Sequence, residues 1–306
     1  MDKSDITLER MRSFVRVAER GSLSAVAREL GLGQSTVTRQ LNELEDALGI
    51  ALLSRTTRRV TLTDEGSRYY QHCLAILRLV EQASDEARSA GEAPAGTVRL
   101  SCTASFGVLH VTRLLFAFQD RHPGIDIDLS LNDERIDLVR EGIDIAIRLG
   151  PLADSTLKLR PLGRSQRLFV AAPHYLARHG TPTSPDDLAR HQGIRMTNVA
   201  GSATLAFAGK AGEQYSVPFD GRLRVNHGLA VREALLAGRG IAPTHRWLVD
   251  DLLASGQLEP ILSGYTLSSV QLSMLIVPER AAVARVRLLI DFLAAEIATL
   301  PGMAPA

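Results

Sequence analysis

The hydrophobic pattern near the N-terminus predicts consecutive helices that together form a helix-turn-helix. Apolar side chains recur at helical spacing over residues 7–20, and again after Ser22 or Ser24, either of which can cap a short second helix. The turn is Gly31-Leu32-Gly33, and a third helix with an apolar stripe follows from about Gln34 to Leu48. The start of this third helix is polar, as expected of a helix that enters the major groove of DNA.

A wing is predicted directly after the third helix, which Gly49 ends. Two short extended segments lie around Leu52-Leu53 and Val60-Leu62. The loop between them is basic and carries Arg55, Arg58 and Arg59.

A long helix with a narrow apolar seam is predicted next. Thr63 caps it, and acidic residues fill its first turn, where the helix dipole favours them. It runs to about Ala90, and its seam follows the alternating steps of a coiled coil: Tyr70, Cys73, Leu77, Val80, Ser84 and Ala87. One small domain cannot cover a narrow seam on so long a helix, so we expect a helix from a second copy of the chain to cover it.

Glycine and proline in the segment GEAPAG (91–96) mark a domain boundary. Beyond it strands alternate with helices, which favours a parallel α/β sheet. The clearest predicted strands are VRLSC, IDIDLSL, IDIAIRLG, RLFVAAP, LRV, GIAP and VQLSMLIV. Their order predicts two lobes joined by crossovers near Pro161-Gly163 and Ser263-Ser268. A cleft between such lobes faces the carboxyl ends of the strands, where open α/β sheets bind ligands.

Composition narrows the class of protein. The chain has 306 residues, is 45% hydrophobic and 23% charged, and carries a net charge of +1, so any nucleic-acid contact must depend on local placement of charge. Two cysteines, Cys73 and Cys102, favour neither a disulfide framework nor a zinc site. No apolar leader and no apolar run long enough to cross a bilayer are visible, so we expect a cytoplasmic protein without a membrane segment.

Long stretches of the chain resemble the LysR-type transcriptional regulators, over essentially its whole length. The main match is MRSFVRVAERGSLSAVARELGLGQSTVTRQLNELEDALGIALLSRTTRRVTLTDEG, and the shorter segments GIDIAIRLG, AAPHYLARHG and REALLAGRGIA fall in the family's order and spacing. The resemblance implies a winged helix-turn-helix, a linker helix that dimerises, and a two-lobed effector domain resembling periplasmic binding proteins. It also implies a homotetramer assembled as a dimer of dimers.

The pattern and the resemblance together give an α/β protein with an N-terminal DNA-binding domain. We expect the following division: winged helix-turn-helix 1–62; linker helix 63–90; effector-binding domain 91–306, with lobe 1 at about 97–162 and 268–300 and lobe 2 at about 163–267.

The polar start of the third helix holds the candidate base readers. Gln34, Ser35, Thr38 and Arg39 lie off the apolar stripe; glutamine can pair with adenine and arginine with guanine. Ser35 and Thr36 are also candidates for phosphate, because a helix N-terminus favours anions. A merely solvated helix face is the alternative.

The arginines of the wing are candidates for phosphate or minor-groove contacts. These are Arg55, Arg58 and Arg59, of which Arg58 is the strongest candidate. The alternatives are a solvated run of charge, or pairing of Arg55 with an acid of the fold.

Residues at strand-to-helix loops are candidates for the effector site. They are Thr103, Ala104, Ser105, Asn132, Asp133, Arg148, Asn198, Asn226 and His227. The loop at 103–105 offers hydroxyls and backbone N–H groups to an anion. Donors outnumber acids, which favours a neutral or anionic small molecule. Helix capping or an ion pair, such as Arg148 with Asp133, is the alternative for each.

Two other function classes are disfavoured. A transport-type solute-binding protein would suit the C-terminal two-thirds but not the helix-turn-helix. An enzyme would need a nucleophile and base, a metal set or a phosphate loop, none of which is recognisable. His174 and His179 are five residues apart, off the four-residue step of a metal pair. We therefore expect a regulator without a cofactor or metal, whose partners are double-stranded DNA, a small-molecule effector and further copies of the chain; RNA polymerase is a further candidate.

Overall fold

The computed structural model describes residues 6–55, 60–88, 93–134, 137–152, 157–199, 201–209 and 211–305. The chain divides into two compact units. The first comprises Met1–Ala93 with Ile136–Gly142, and the second comprises Pro94–Arg135 with Ile143–Ala306. Within the described ranges, no helix combines the length and the apolar character needed to cross a membrane.

The first unit begins with the predicted helix-turn-helix and wing. Its elements are α1 Leu8–Arg20, α2 Leu23–Glu29, α3 Gln34–Leu48, β1 Leu53–Arg55, β2 Val60–Leu62, α4 Asp64–Arg88 and, later in the chain, α7 Leu138–Glu141. Gly21 and Gly49 end α1 and α3 with left-handed φ angles of 62° and 69°, which glycine adopts without strain. Ser22 caps α2, because its side chain accepts a hydrogen bond from the Ala25 N–H.

The core of this unit fixes α3 on α1. Phe14, Val17, Val37 and Leu44 are fully buried. A polar network crosses the same contact: Gln40 accepts from Ser13 Oγ and donates to Glu9 Oε1, both at 2.6 Å. Since both partners of Gln40 lie on α1, the network sets the rotation of α3 about its axis.

The apolar seam of α4 is partly covered within the chain, which corrects the expectation that a second copy covers all of it. Cys73 is fully buried in the core of the first unit, and Tyr70 and Leu77 pack against that core. Among the described side chains of α4, the large apolar ones that stay exposed are Ile76 and Leu79, at 39% and 67%. Ile76 and Leu79 each precede a seam residue by one position, so they lie on another face of α4. The start of the predicted seam packs against α1 instead.

The second unit begins with a six-stranded sheet and the helices on it. In spatial order the strands are β16 (Met303–Ala304), β6 (Lys158–Ser165), β15 (Val270–Ile276), β5 (Ile145–Leu149), β3 (Gly96–Cys102) and β4 (Ile125–Leu131). The helices are α5 (Ala104–Phe106), continued by a π-helical turn over Gly107–Val111 into α6 (Thr112–Arg121), and α11 (Ala284–Ile297), which a 3₁₀ turn at Pro278–Arg280 precedes. We refer to this part as lobe 1.

The rest of the second unit, lobe 2, is built from shorter strands. They are β7 (Arg167–Ala171), β8 (Ile194–Met196), β9 (Thr204–Ala208), β10 (Gln214–Pro218), β11 (Leu223–Val225), β12 (Ile241–His245), β13 (Glu259–Ile261) and β14 (Thr266–Leu267). The helices are α8 (Pro173–His179), α9 (Gly228–Leu236) and α10 (Arg246–Ala254), with a 3₁₀ turn at Pro185–Arg190. One continuous hydrophobic core contains buried residues of both lobes.

The strand directions differ from the predicted parallel sheet. Among the described strands of lobe 1, the parallel pairs are those of β3 with β4 and with β5, whereas β15 is antiparallel to β5 and β6. In lobe 2 β7 is antiparallel to both of its neighbours. Strand β6 also occupies Pro161-Gly163, where a crossover was predicted. The chain leaves lobe 1 at Gln166 instead, because Ser165 still pairs with Val270.

Candidate DNA-binding and effector-binding sites

A shallow concavity on α3 brings together most of the predicted base readers. It is lined by Gln34, Ser35, Thr38, Arg39, Asn42 and Glu43. Gln34, Ser35 and Arg39 are exposed, and the Arg39 side chain is 70% accessible. Thr38 is less available, since its hydroxyl donates to the Gln34 carbonyl at 2.9 Å. The concavity therefore offers both donors and acceptors on a helix whose opposite face is fixed in the core.

Gly33 is the N-cap of α3. Because glycine has no side chain, the helix start has no side-chain capping hydrogen bond. Thr36 lies half-buried in the first turn, next to the exposed Ser35. A helix start without a side-chain cap leaves its first N–H groups to an external acceptor such as a phosphate oxygen.

Sequence reasoning missed Asn42 and Glu43 in this concavity. Their spacing of three and four residues from Arg39 could have identified them, because such residues are neighbours on a helix surface. Glu43 accepts a hydrogen bond from Arg10 Nη2 at 2.6 Å, and its other oxygen lies 3.9 Å from Arg39 Nε.

The wing is an antiparallel pair in which Leu53, Ser54 and Arg55 face Leu62, Thr61 and Val60. Glu45 of α3 holds it by accepting hydrogen bonds from the N–H groups of Leu52 and Leu53, at 2.7 and 3.0 Å. The Arg55 backbone ends β1, but its side chain lies outside the described part of the molecule, as do Arg58 and Arg59.

On lobe 1, the candidate effector residues meet at the carboxyl ends of β3, β4 and β5. The Ala104 N–H donates to Asp133 Oδ1 at 2.9 Å, and both the N–H and the hydroxyl of Thr103 donate to the Ile147 carbonyl. The neighbouring Asn132 accepts from the Glu134 N–H at 2.7 Å. The expectation of a free N–H at Ala104 is therefore wrong: a carboxylate of the same lobe already occupies it.

Arg148 lies at this edge without an ion pair to Asp133 among the described residues. Its guanidinium donates to Ser101 Oγ at 2.7 Å and to the Ile147 carbonyl at 3.1 Å. Burial lowers the pKa of Arg148, while Cys102 and Asp133 act in the opposite direction. Burial also raises the pKa of the Cys102 thiol to about 12, which keeps it protonated beside the arginine.

On lobe 2, Asn198 and Asn226 lie together and His227 starts a helix. Asn198 Nδ2 donates to the Asn226 carbonyl at 2.9 Å, and both residues are exposed. His227 is the N-cap of α9, and its Nδ1 accepts from the Leu229 N–H at 3.3 Å. That bond agrees with the alternative of a helix-start histidine.

The helix starts on the two lobes meet at Ser105 and Gly228. Ser105 is only 3% exposed, and a Cβ atom at position 228 would lie 2.7 Å from its hydroxyl oxygen. Gly228 is thus required for close approach. Ser105 is therefore covered by lobe 2.

Next to this contact lies an aromatic cluster that no sequence motif indicated. Trp247 of lobe 2 is 4% exposed and packs edge-on against Phe106 of lobe 1, with ring centroids 5.0 Å apart. His110 Nε2 lies 2.9 Å from the Trp247 carbonyl, and burial is the main cause that lowers the pKa of this histidine. The cluster joins residues more than 130 positions apart, which explains why local patterns could not find it.

A buried hydroxyl connects this cluster to the crossover. Ser165 Oγ accepts from Trp247 Nε1 at 2.8 Å and lies 2.8 Å from His245 Nδ1. Because the indole only donates to Ser165, the serine proton remains available for donation to His245 when Nδ1 is unprotonated. Burial and the charge of Arg167 lower the pKa of His245 to about 3, which favours the neutral imidazole.

No group of three or more histidine, cysteine or acidic side chains in the described ranges is arranged to hold a metal ion. His174 and His179 lie at opposite ends of α8.

Comparison with known proteins identifies the family of both parts of the chain. Residues 8–67 match the family model of the bacterial regulatory helix-turn-helix proteins of the LysR family, and residues 91–298 match that of the LysR substrate binding domain. The regulator CrgA of Neisseria meningitidis serogroup C is 35% identical over 291 residues, which cover 94% of this chain and 96% of that protein. The uncharacterized regulator YhjC of Escherichia coli K12 is 36% identical over 296 residues, covering 96% and 97%.

Solved structures of full-length regulators have the same architecture. The structure of CrgA from Neisseria meningitidis is 32% identical, has a TM-score of 0.62, and covers 95% of this chain and 99% of its own. The Vibrio cholerae virulence activator AphB is 28% identical, with a TM-score of 0.65 over 95% and 99%. The helix-turn-helix, the two-lobed unit and these matches along nearly the whole length lead to one conclusion: the chain belongs to the LysR family of DNA-binding transcriptional regulators with an effector-binding domain.

Proposed function

We propose that this regulator reads operator DNA with the concavity of α3 and responds to a small molecule held between its lobes. The observation that carries the proposal is the exposed polar surface around Arg39 on a helix whose other face is locked in the core. A helix presented in this way fits the major groove.

Within the DNA site, the proposed roles follow from exposure. Arg39 and Gln34 read base edges, while Ser35 and Thr36 hold phosphate at the start of α3, and Thr38 contributes at the edge of the concavity. Arg55, Arg58 and Arg59 of the wing stay candidates for backbone or minor-groove contacts.

The effector site is proposed at the facing loops of the two lobes. Thr103, Asn132, Asp133 and Arg148 supply the lobe 1 side, and Asn198, Asn226 and His227 the lobe 2 side. Most of these groups already bond within the protein, so the effector must replace internal hydrogen bonds as it binds. A neutral or anionic molecule suits the excess of donors.

Assembly is the remaining part of the proposal. The exposed Ile76 and Leu79 of α4 suit a second copy of the linker helix, and two such dimers would give a tetramer that spans two half-sites. We also propose the division into residues 1–62, 63–90 and 91–306 for DNA binding, linkage and effector binding. The regulator acts without catalysis, in the cytoplasm, where RNA polymerase is a candidate partner.

The test starts with the full-length protein and a pool of double-stranded DNA with a randomised central region. We expect the wild type to enrich a pseudo-palindromic sequence. Arg39→Ala should bind that sequence with an affinity lower by about 1–3 kcal/mol and with relaxed preference at one base pair of each half-site.

The matched control is Arg178→Ala, which removes an exposed arginine of α8 in lobe 2 and should leave affinity unchanged. Small molecules that raise the melting temperature of the protein are then titrated with and without the enriched DNA. Linkage requires the two affinities to differ if the effector controls DNA binding. A pool from which no sequence is enriched would contradict the proposal.

A further inference from the structure

An acidic side chain lies in the surface that faces DNA. Glu43 lines the α3 concavity together with Arg39, and its side chain is 39% exposed. A carboxylate near DNA is repelled by the phosphates unless a positive charge accompanies it. Its presence in this concavity therefore calls for a physical reason.

The two oxygens of Glu43 face two different arginines. Oε2 accepts from Arg10 Nη2 of α1 at 2.6 Å, and Oε1 lies 3.9 Å from Arg39 Nε. The Arg10 side chain is only 18% exposed, so it is held against the protein, whereas Arg39 is 70% exposed. The carboxylate is thus held by Arg10 through Oε2 on the side that faces the core. Its other oxygen, Oε1, attracts the Arg39 guanidinium on the exposed side.

This geometry has two consequences for Arg39. Arg10 offsets the charge of Glu43, which reduces the repulsion from phosphate. At 3.9 Å the Arg39 contact is an ion pair rather than a hydrogen bond, so the guanidinium keeps its donors for a base edge while its range of directions narrows. Restricting a side chain before binding reduces the entropy lost in the complex.

We infer that Glu43 is a positioning residue, which Arg10 anchors and which aims Arg39 at one base pair and so sharpens sequence preference. The inference rests on the proposed role of Arg39 as a base reader. It assigns to Arg10 and Glu43 an effect on selectivity, with no effect on the number of phosphates contacted.

The experiment measures base preference with the randomised DNA pool and the full-length protein. Glu43→Gln keeps the shape of the side chain but removes the charge that attracts both arginines. We expect selectivity at the base pair read by Arg39 to fall roughly 3- to 10-fold, because the unguided arginine samples more directions. Affinity for random DNA should hold or rise, and the salt dependence of binding should stay the same. Arg10→Met should lower selectivity at the same base pair.

The matched control is Glu29→Gln. Glu29 also faces two arginines, Arg20 Nε at 2.9 Å and Arg16 Nε at 3.5 Å, but it lies outside the concavity. Its loss should leave base preference unchanged. Circular dichroism of each variant checks that the helices are intact before binding is measured.

The background variant Arg39→Ala separates the possible results. If Glu43 acts through Arg39, Glu43→Gln has no further effect on preference in that background. If Glu43→Gln still changes preference there, at another base pair, Glu43 contacts a base directly and the positioning role is wrong. If Arg39→Ala relaxes preference but Glu43→Gln does not, the inference fails while the proposed function stands. If Arg39→Ala leaves preference intact, the base-reading role of Arg39 itself fails.

Discussion

The two candidate sites differ in how many of their polar groups already have partners inside the protein. Around Arg39 the side chains of Gln34, Ser35 and Arg39 are exposed on α3, whereas Thr38 and Glu43 already bond within the protein. At the lobe edges Thr103, Ala104 and Arg148 all donate to groups of the same lobe, and Ser105 is covered by Gly228.

This difference fits the two kinds of partner. DNA is a large, rigid polyanion, and a preformed exposed surface can meet it without rearrangement. A small molecule offers few contacts, so a pocket whose polar groups are already satisfied stays stable when empty. The exchange of internal hydrogen bonds for ligand bonds then couples binding to a change of conformation, because a ligand shifts an equilibrium only through its different affinity for the two states.

The largest effect should come from removing the side chain that joins the lobes. Trp247→Ala deletes a buried indole, its packing on Phe106 and its hydrogen bond to Ser165. We expect the free energy of unfolding of the second unit to fall by about 3–5 kcal/mol. Denaturant unfolding followed by circular dichroism measures this loss. A loss below about 1 kcal/mol would mean that the contact between the lobes is not packed like a protein core. The difference in internal bonding between the two candidate sites would then no longer hold.

An intermediate effect should appear when the pH is lowered. The pKa of His245 is lowered to about 3 in the fold, whereas an unfolded histidine has a pKa of about 6.5. Below pH 6.5 the unfolded chain therefore binds a proton that the folded chain excludes, and stability must fall as the pH falls toward 3. Part of His245 is exposed, so we expect a slope of about 1 kcal/mol per pH unit, somewhat below the limit for one proton.

The variant His245→Asn isolates this contribution, because the amide of an asparagine can replace the ring nitrogen as the hydrogen-bond partner of Ser165. Asp187, Asp220 and Asp251 also have lowered pKa values, but their contributions are the same in the wild type and the variant and cancel in the comparison. His110 and His191 also have lowered pKa values, but they are the same in both proteins. Equal slopes for the wild type and His245→Asn would show that His245 is not excluded from protonation.

The smallest effect on stability should come from the α3 surface. Ser35 is exposed at the start of α3, so Ser35→Ala should change the free energy of unfolding by no more than about 0.5 kcal/mol while it weakens DNA binding. Thermal unfolding and binding to the enriched DNA, measured on one preparation, test both halves. A larger loss of stability would show that the polar groups of this surface are hydrogen-bonded within the protein to the same degree as those at the lobe edges.

Patterns of short range predicted the first unit well. Helix caps, apolar stripes and turn glycines act over a few residues, so α1 to α3 and their ends at Gly21 and Gly49 followed from the sequence. The error came at α4, where the same seam can pack against a partner helix or against α1 of the same chain. Tyr70 and Cys73 pack on the side of α1, and tertiary packing decides between these two arrangements.

Patterns of long range were predicted less well. Alternation of strands and helices indicated an α/β unit but not strand direction, because a strand such as β15 returns from more than a hundred residues away to pair antiparallel with β5 and β6. The contacts of Trp247 with Phe106 and Ser165 escaped for the same reason. The hydrogen-bond partners of Ala104 and Arg148 could not be predicted either. Local patterns do not determine which side chain of a neighbouring strand lies within hydrogen-bonding distance of each group.

Trp247 is the single tryptophan of the chain, and it lies at the junction of the lobes. Its fluorescence therefore reports on one place only, without a label and without interference from the DNA-binding unit. A shielded indole emits at shorter wavelength than a solvated one, so any compound that opens the lobes should shift the emission to the red. Trp247 is therefore an intrinsic fluorescence probe of the lobe contact, with which a library of metabolites can be screened for the effector.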